Sequence, residues 1–395
     1  MDLRYTPEEQ AFREELRTWL GEVLPDVGPP PDRRDITARR EYDTAWQRKL
    51  HDAGYAGINW PADFGGRGST PTEHLIFLEE TERAHAPYVG CNFVGLLHAG
   101  PTLIAEASPE QQATHHPAIL RGDHIWCQRF SEPGAGTDLA SLQSRAVRHG
   151  DEYVITGQKI WTSFAQIGDY CEMLVRTDPD ASKHTGITWL IMPMDAPGID
   201  VRPLDTVLGS SEFSEMFLDE VRVPVSNRVG DENDGWRVAM VTFSFERGTA
   251  FVSELLASME LVADLAETAK RVTRASGTAW DDIGIRREIG TIAAELDALW
   301  SLTKRNVSQA ERTGVPGPGG NIFKLHYAAV RERLGDVAFR VLERASLSLD
   351  PVEGMGQANQ VEERIYALSL RIAAGTSQIN KNIVGERVLG LPKER

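Results

Sequence analysis

Cysteine is scarce in this chain of 395 residues: only Cys91, Cys127 and Cys171. They lie far apart and share no metal-ligand spacing, which excludes a disulfide framework or a cysteine-ligated metal and points to free thiols in a reducing cytoplasm. The ten histidines form no HxH or HExxH pattern, so His115-His116 reads as a loop pair rather than a metal site. Long apolar runs are missing too. No stretch of about 18 apolar residues occurs, so no membrane span is expected. The start, Met1-Asp2-Leu3-Arg4-Tyr5-Thr6-Pro7, has no apolar signal region, so the expected location is cytoplasmic. Basic residues are outnumbered, 42 against 58 acidic ones, for a net charge of −16. That argues against a nucleic-acid partner or an anionic membrane surface. A phosphate-bearing ligand remains open, because a few local cations and helix N-termini suffice to hold one.

What is present is an ordinary soluble composition, 41% hydrophobic and 25% charged, in a chain long enough for two or three domains. The fold class expected is α+β: an N-terminal helical domain over 1–125, a central antiparallel β-domain over 126–230, and a C-terminal four-helix bundle over 231–395. Thr6-Pro7-Glu8-Glu9 starts a helix carrying Phe12, Leu16, Trp19 and Leu20 at helical spacing. Further helices are expected over roughly 39–53, 71–84 and 91–106, with a short one starting at Pro109. The period then changes. Ala146-Val147-Arg148 and Tyr153-Val154-Ile155 flank His149-Gly150-Asp151, a hairpin signal. Strand-length runs follow at 171–176, 187–192, 199–201 and 213–218. Helical periodicity returns over roughly 235–273, 282–312, 321–347 and 358–388.

Two segments stand out. Gln128 to Asp138 contains Ser131-Glu132-Pro133-Gly134-Ala135-Gly136-Thr137-Asp138, a tight loop of small and hydroxyl residues. Gly157-Gln158-Lys159-Ile160-Trp161-Thr162-Ser163 ends on an aromatic and two hydroxyls. Gly134-Ala135-Gly136 follows no clear parallel strand and opens no convincing βαβ helix, so a dinucleotide fingerprint is not expected. Together with Trp60-Pro61-Ala62-Asp63-Phe64-Gly65-Gly66 and Gly375-Thr376-Ser377-Gln378-Ile379, these segments resemble, in order, signatures of the acyl-CoA dehydrogenase family. The resemblance covers nearly the whole chain.

The resemblance implies FAD as cofactor and an acyl-CoA thioester as substrate. Gln128, Phe130 and Ser131 match the loop lying against the isoalloxazine ring. Trp161 matches the aromatic packed on that ring, and Ser163 the hydroxyl near flavin N5. Donors there suit the negative charge that reduced flavin builds up. Thr137 matches a contact to the CoA arm. Thr376 and Gln378 match contacts to the nucleotide half of FAD. The chain also departs from the family. Asp350 to Gln357 stands where a Gln and a Gly-Gly turn usually reach a neighbouring subunit's FAD.

The reaction needs a carboxylate to remove the α-proton. Many family members place it just before the C-terminal Gly-Thr, but here that residue is Ala374, preceded by Ala373. In a subset the Glu sits on a bundle helix before an Arg, which matches Phe243-Ser244-Phe245-Glu246-Arg247. Glu246 is the expected base, and an apolar pocket would raise its pKa toward the working pH. Ala374 keeps a backbone N–H that can bond the thioester oxygen. Arg247 resembles the family's helix arginine, with a substrate contact and helix packing both open. The resemblance further implies an electron-transfer flavoprotein or similar acceptor, and a homotetramer or a heterotetramer with a related chain. A subunit that holds only part of an FAD site, and a flavin oxidase on the same scaffold, are the alternatives.

Overall fold

A computed structural model describes residues 4–32, 34–245, 251–313, 319–355 and 359–393. Contacts divide the chain into two compact units. One comprises Gly21–Thr70 and Ala86–Glu246, the other Met1–Leu20, Pro71–His85 and Arg247–Arg395.

Helix α1 spans Pro7–Val23, and its periodic Phe12, Leu16 and Leu20 are buried as the spacing requires. Helix α2, Ile36–Asp52, starts on the Asp35 carboxylate, which accepts the Ala38 N–H, and ends at Ala53 before a left-handed Gly54. Helix α3 spans Pro71–Arg83, α4 Gly100–Glu106 and α5 Pro109–Arg121. The helix expected over 91–106 is not uniform: a wide π turn at Gly95–Ala99 precedes α4. The short helix expected at Pro109 runs for 13 residues, because Ser108 and Gln111 form a reciprocal capping box. His115 and His116 therefore lie buried in a helix, not in a loop.

Eight strands follow: β1 Trp126–Arg129, β2 Arg145–His149, β3 Glu152–Ser163, β4 Tyr170–Arg176, β5 Ile187–Pro193, β6 Ile199–Leu204, β7 Phe213–Pro224 and β8 Arg228–Val229. Their order is β6-β7-β3-β2-β4-β5-β8, with β1 beside β4. The hairpin forms in the expected register, Ala146 opposite Ile155 and Arg148 opposite Tyr153. The sheet is mostly antiparallel, but β1 pairs with β4 in parallel, from Trp126–Tyr170 to Arg129–Met173. That pairing carries β1 along the sheet and delivers the 130–138 loop beside β3. One face of the sheet packs Cys127, Cys171, Met173, Leu190, Met192 and Met216 into its core. Helix α6, Gly235–Phe245, completes this unit, tied to α4 by Arg237 on both oxygens of Glu106 at 2.7 Å and by Thr102–Thr242 at 2.9 Å.

The helical unit contains α7 Val252–Ala269, α8 Ile283–Thr313, α9 Gly319–Leu342, α10 Gln360–Ser369 and α11 Ser377–Ile383. Ile285, Ile289, Ile292, Leu296 and Leu299 form the buried stripe of α8 and pack with Tyr327, Leu334 and Val341 of α9. Arg13 and Arg17 of α1 pair with Glu79 and Glu80 of α3. Of the run expected over 235–273, the described residues form α6 and α7, and residues 246–250 lie outside them. The run over 358–388 breaks at residues 370–376, where Ala374 and Gly375 take positive φ of 50° and 85°.

Candidate active site

The two segments singled out in the sequence meet in the β-sheet unit. The Ile160 N–H donates to the Ser131 carbonyl at 3.0 Å. Beneath this bond lies a buried ion pair: the Lys159 ammonium donates to Glu132 Oε1 at 2.8 Å and to the Phe130 carbonyl at 3.2 Å. The Glu132 carboxylate also accepts the Gln143 and Ser144 N–H groups, at 2.7 and 2.8 Å. Burial pushes the Lys159 pKa down while Glu132 pulls it back, leaving a net lowering. Burial pushes Glu132 up, but Lys159 and the bonds from Ser144 and Gln143 outweigh it and hold the carboxyl low. The sequence alone assigns neither residue a role; the one signal is a Glu and a Lys, each inside one of the two distinctive segments.

Strand β3 bulges between Lys159 and Thr162 against β7. At the bulge Trp161 takes φ 61°, a left-handed conformation costly for an aromatic residue, and its ring is 59% exposed. Phe213 meets the indole in a T-shaped contact, with centroids 5.9 Å apart. Ser163 follows, half-buried and opposite Phe213. Gln128 donates to Glu172 Oε1 at 2.8 Å, and Phe130 is buried with its ring edge-on to Phe243 of α6 at 5.8 Å. Thr137 lies exposed on the following turn, beside an Asp138 that pairs with Lys183.

The C-terminal signature belongs to the helical unit. Thr376 is the N-cap of α11, its hydroxyl accepting the Ile379 N–H at 3.2 Å. Asn380 donates to the Gly375 and Thr376 carbonyls at 2.8 and 3.1 Å, and Asn321 steadies Asn380 at 2.6 Å. Ala374 and Gln378 are exposed. Glu246 and Arg247, the expected base and its neighbour, lie outside the described residues.

No group of three or more His, Cys, Asp or Glu residues among the described ones could hold a metal. The three thiols are free and buried, and burial pushes the His115 pKa down to about 4. Among the described residues, no helix is long and apolar enough to cross a membrane.

The chain matches the N-terminal, middle and C-terminal domain models of acyl-CoA dehydrogenase over residues 6–123, 127–221 and 233–389. It is 35% identical over 395 residues to the acyl-CoA dehydrogenase IpdE1 of Mycobacterium tuberculosis, covering 98% of each chain. The chain belongs to the acyl-CoA dehydrogenase family. Among solved structures it is similar to a steroid acyl-CoA dehydrogenase named Tcur3481-Tcur3483, at 30% identity and TM-score 0.86 over 100% of both chains. It is also similar to the ChsE4-ChsE5 complex of Mycobacterium tuberculosis, at 32% identity and TM-score 0.85, again over 100% of both chains.

Acyl-CoA dehydrogenases are flavoproteins, and the residues present fit a flavin. An indole held exposed in a strained backbone gains most from a flat partner that covers it. The hydroxyls of Ser131 and Ser163 supply the type of donor that a flavin ring edge requires. Both the strain at Trp161 and the ion pair under Ser131 act to set this surface.

Proposed function

We propose that this chain dehydrogenates an acyl-CoA thioester between Cα and Cβ, giving the trans-2-enoyl-CoA. FAD, when bound, supplies the acceptor for the β-hydride. In this reading the Glu246 carboxylate removes the α-proton, and the Ala374 N–H bonds the thioester oxygen. Gln128, Phe130, Ser131, Trp161 and Ser163 bind and orient the flavin ring, while Thr376 and Gln378 serve its nucleotide half. Thr137 holds the CoA arm, and Arg247 is assigned a substrate contact. Electrons leave to an electron-transfer flavoprotein or a similar acceptor.

The observation that carries this reading is the edge contact between Phe243 and Phe130. It sets the last turn of α6 on the 128–131 loop, three residues before Glu246. No acid is available at Ala374 to compete for the role. The test is a screen of straight, branched and polycyclic acyl-CoA thioesters for bleaching of the oxidised flavin in the purified protein. Bleaching by at least one thioester is the expected result; bleaching by none, in a protein that holds FAD, rejects the reading.

A second reading is that the chain is one subunit of a hetero-oligomer and completes its FAD site only with a related chain. It is supported by the apolar side chains that the helical unit leaves exposed, among them Leu347, Leu349, Ile372, Leu389 and Leu391 at 56–75%. Two similar solved structures are named as pairs of chains. FAD per chain in the protein purified alone separates the readings: near one for the first, near zero for the second.

A further inference from the structure

The first half of the turn at residues 370–376 is held from within the helical unit by Lys324 of α9, as Asn380 holds its second half. Lys324 is 5% exposed, and its ammonium donates to the Leu370 carbonyl and, at 2.9 Å, to the Ala373 carbonyl. It also sits over the Phe251 ring, 5.1 Å from the centroid. No carboxylate pairs with it among the described residues. A buried ammonium placed on main-chain carbonyls rather than on an acid is costly, so its position asks for a reason.

The geometry of one peptide supplies it. The Ala373 carbonyl and the Ala374 N–H belong to the same peptide unit, and no peptide bond here is cis. In a planar trans peptide the C=O and N–H point in opposite directions. With Lys324 drawing the oxygen toward the buried side, the Ala374 N–H is turned toward the exposed side. Among the described residues that N–H has no protein acceptor. Ala374 also has φ 50°, a conformation that an alanine keeps only when its surroundings impose it. A cationic bond at the carbonyl polarises the peptide, and a polarised peptide is a stronger N–H donor.

We propose that Lys324 is a positioning residue: by holding the Ala373 carbonyl it aims and strengthens the Ala374 N–H as donor to the thioester oxygen of the substrate. The proposal rests on the reading above in which Ala374 N–H plays that part. Burial, with no acid partner to offset it, lowers the Lys324 pKa to about 8, so the ammonium form prevails only below that pH.

The test compares Lys324→Arg, Lys324→Gln and Lys324→Met in the FAD-loaded protein. The probe is 2-octenoyl-CoA labelled with ¹³C at the carbonyl, added until the flavin absorbance change saturates. The readout is the carbonyl stretching frequency of the bound probe against that of the free one. Wild type is expected to lower the frequency, Lys324→Met to lose most of that shift, and Lys324→Arg to restore part of it. With a thioester that bleaches the flavin, Lys324→Met should lower kcat about tenfold and leave KM within about twofold, less than the loss on removing an oxyanion donor outright. An equal shift in wild type and in the Met and Gln variants overturns the role of Lys324. No shift in wild type overturns the role of Ala374 N–H instead. If Lys324→Met fails to fold, Lys324→Gln, which keeps a neutral donor, decides the matter: a shift as large as wild type's refutes the need for a cation.

Discussion

Lys159 in the sheet unit and Lys324 in the helical unit are both buried, and each fastens a loop from which chemistry is expected. They differ in what answers the charge. Lys159 meets the Glu132 carboxylate and one carbonyl, so a pair is buried rather than an ion. Among the described residues Lys324 meets only carbonyl oxygens and the face of a phenyl ring. Burial lowers both pKa values, but Glu132 pulls that of Lys159 back while nothing comparable does so for Lys324. The lesson concerns purpose. A buried pair locks two strands of sequence together whatever else the site does. A buried cation on a carbonyl changes the donor strength of one peptide, a property that packing alone does not require.

Neither lysine is given a reacting atom in the proposed reaction, where Glu246 takes the proton. The largest expected effect is therefore that of Glu246→Gln. Turnover should fall by about two to four orders of magnitude with FAD content unchanged, as measured by stopped-flow bleaching of the flavin. Near-normal turnover would return the search for the base to other residues.

The next test isolates the pair. Lys159→Met leaves Glu132 buried and uncompensated, which should cost about 3–5 kcal/mol in denaturant unfolding of the FAD-loaded protein. Lys159→Met with Glu132→Gln should recover more than half of that. A double variant no more stable than the single one would show that the pair is not the unit that holds the loop.

A third buried charge sharpens the contrast further. Glu254 of α7 has one carboxylate oxygen that is buried without a hydrogen-bond partner among the described residues. Burial first, and then Glu82, raise its pKa to about 7. Between the ordinary carboxylate value and about 7 the folded chain holds a proton that the unfolded chain has lost. Stability from this group is thus full at low pH, falls as pH rises to about 7, and is flat above. Glu254→Gln should be more stable than wild type at pH 8 by about 1–3 kcal/mol and little different at pH 4.5, by urea unfolding at both values. Equal differences at the two pH values would contradict the assignment.

The smallest expected effect separates the turn's own cap from Lys324. Thr376→Ala removes the hydroxyl that accepts the Ile379 N–H and should cost about 1 kcal/mol, with the probe's carbonyl frequency unmoved. A frequency change as large as in Lys324→Met would mean that any loosening of the turn is enough, and that the cation has no separate part.

Much of this was legible in the chain. The hairpin register followed from alternation on either side of His149-Gly150-Asp151, and α1 and α8 from apolar spacing. The segments 128–138 and 157–163 could be picked out because small and hydroxyl residues cluster there for backbone reasons: a side chain on Gly157 would overlap Ser144. What could not be read depended on partners distant in sequence. The periodicity of 358–388 runs through the 370–376 turn, because a helix and two helices at a bend share the same apolar spacing. The parallel pairing of β1 with β4 spans about 44 residues and leaves no local mark. His115 and His116 read as a loop because the helix is started by Ser108 and Gln111, several residues earlier.

Family, fold class and the loss of an acid at Ala374 were thus determined by the sequence alone, since each is carried by residue types in order along the chain. The tertiary structure alone decided the partners. It set Lys159 on Glu132 and the Phe130 carbonyl, Lys324 on the Ala373 carbonyl, and Phe130 against Phe243. The physical reason is that a buried charge is answered by whatever polar atoms the fold brings within about 3 Å, and sequence spacing carries no record of that distance.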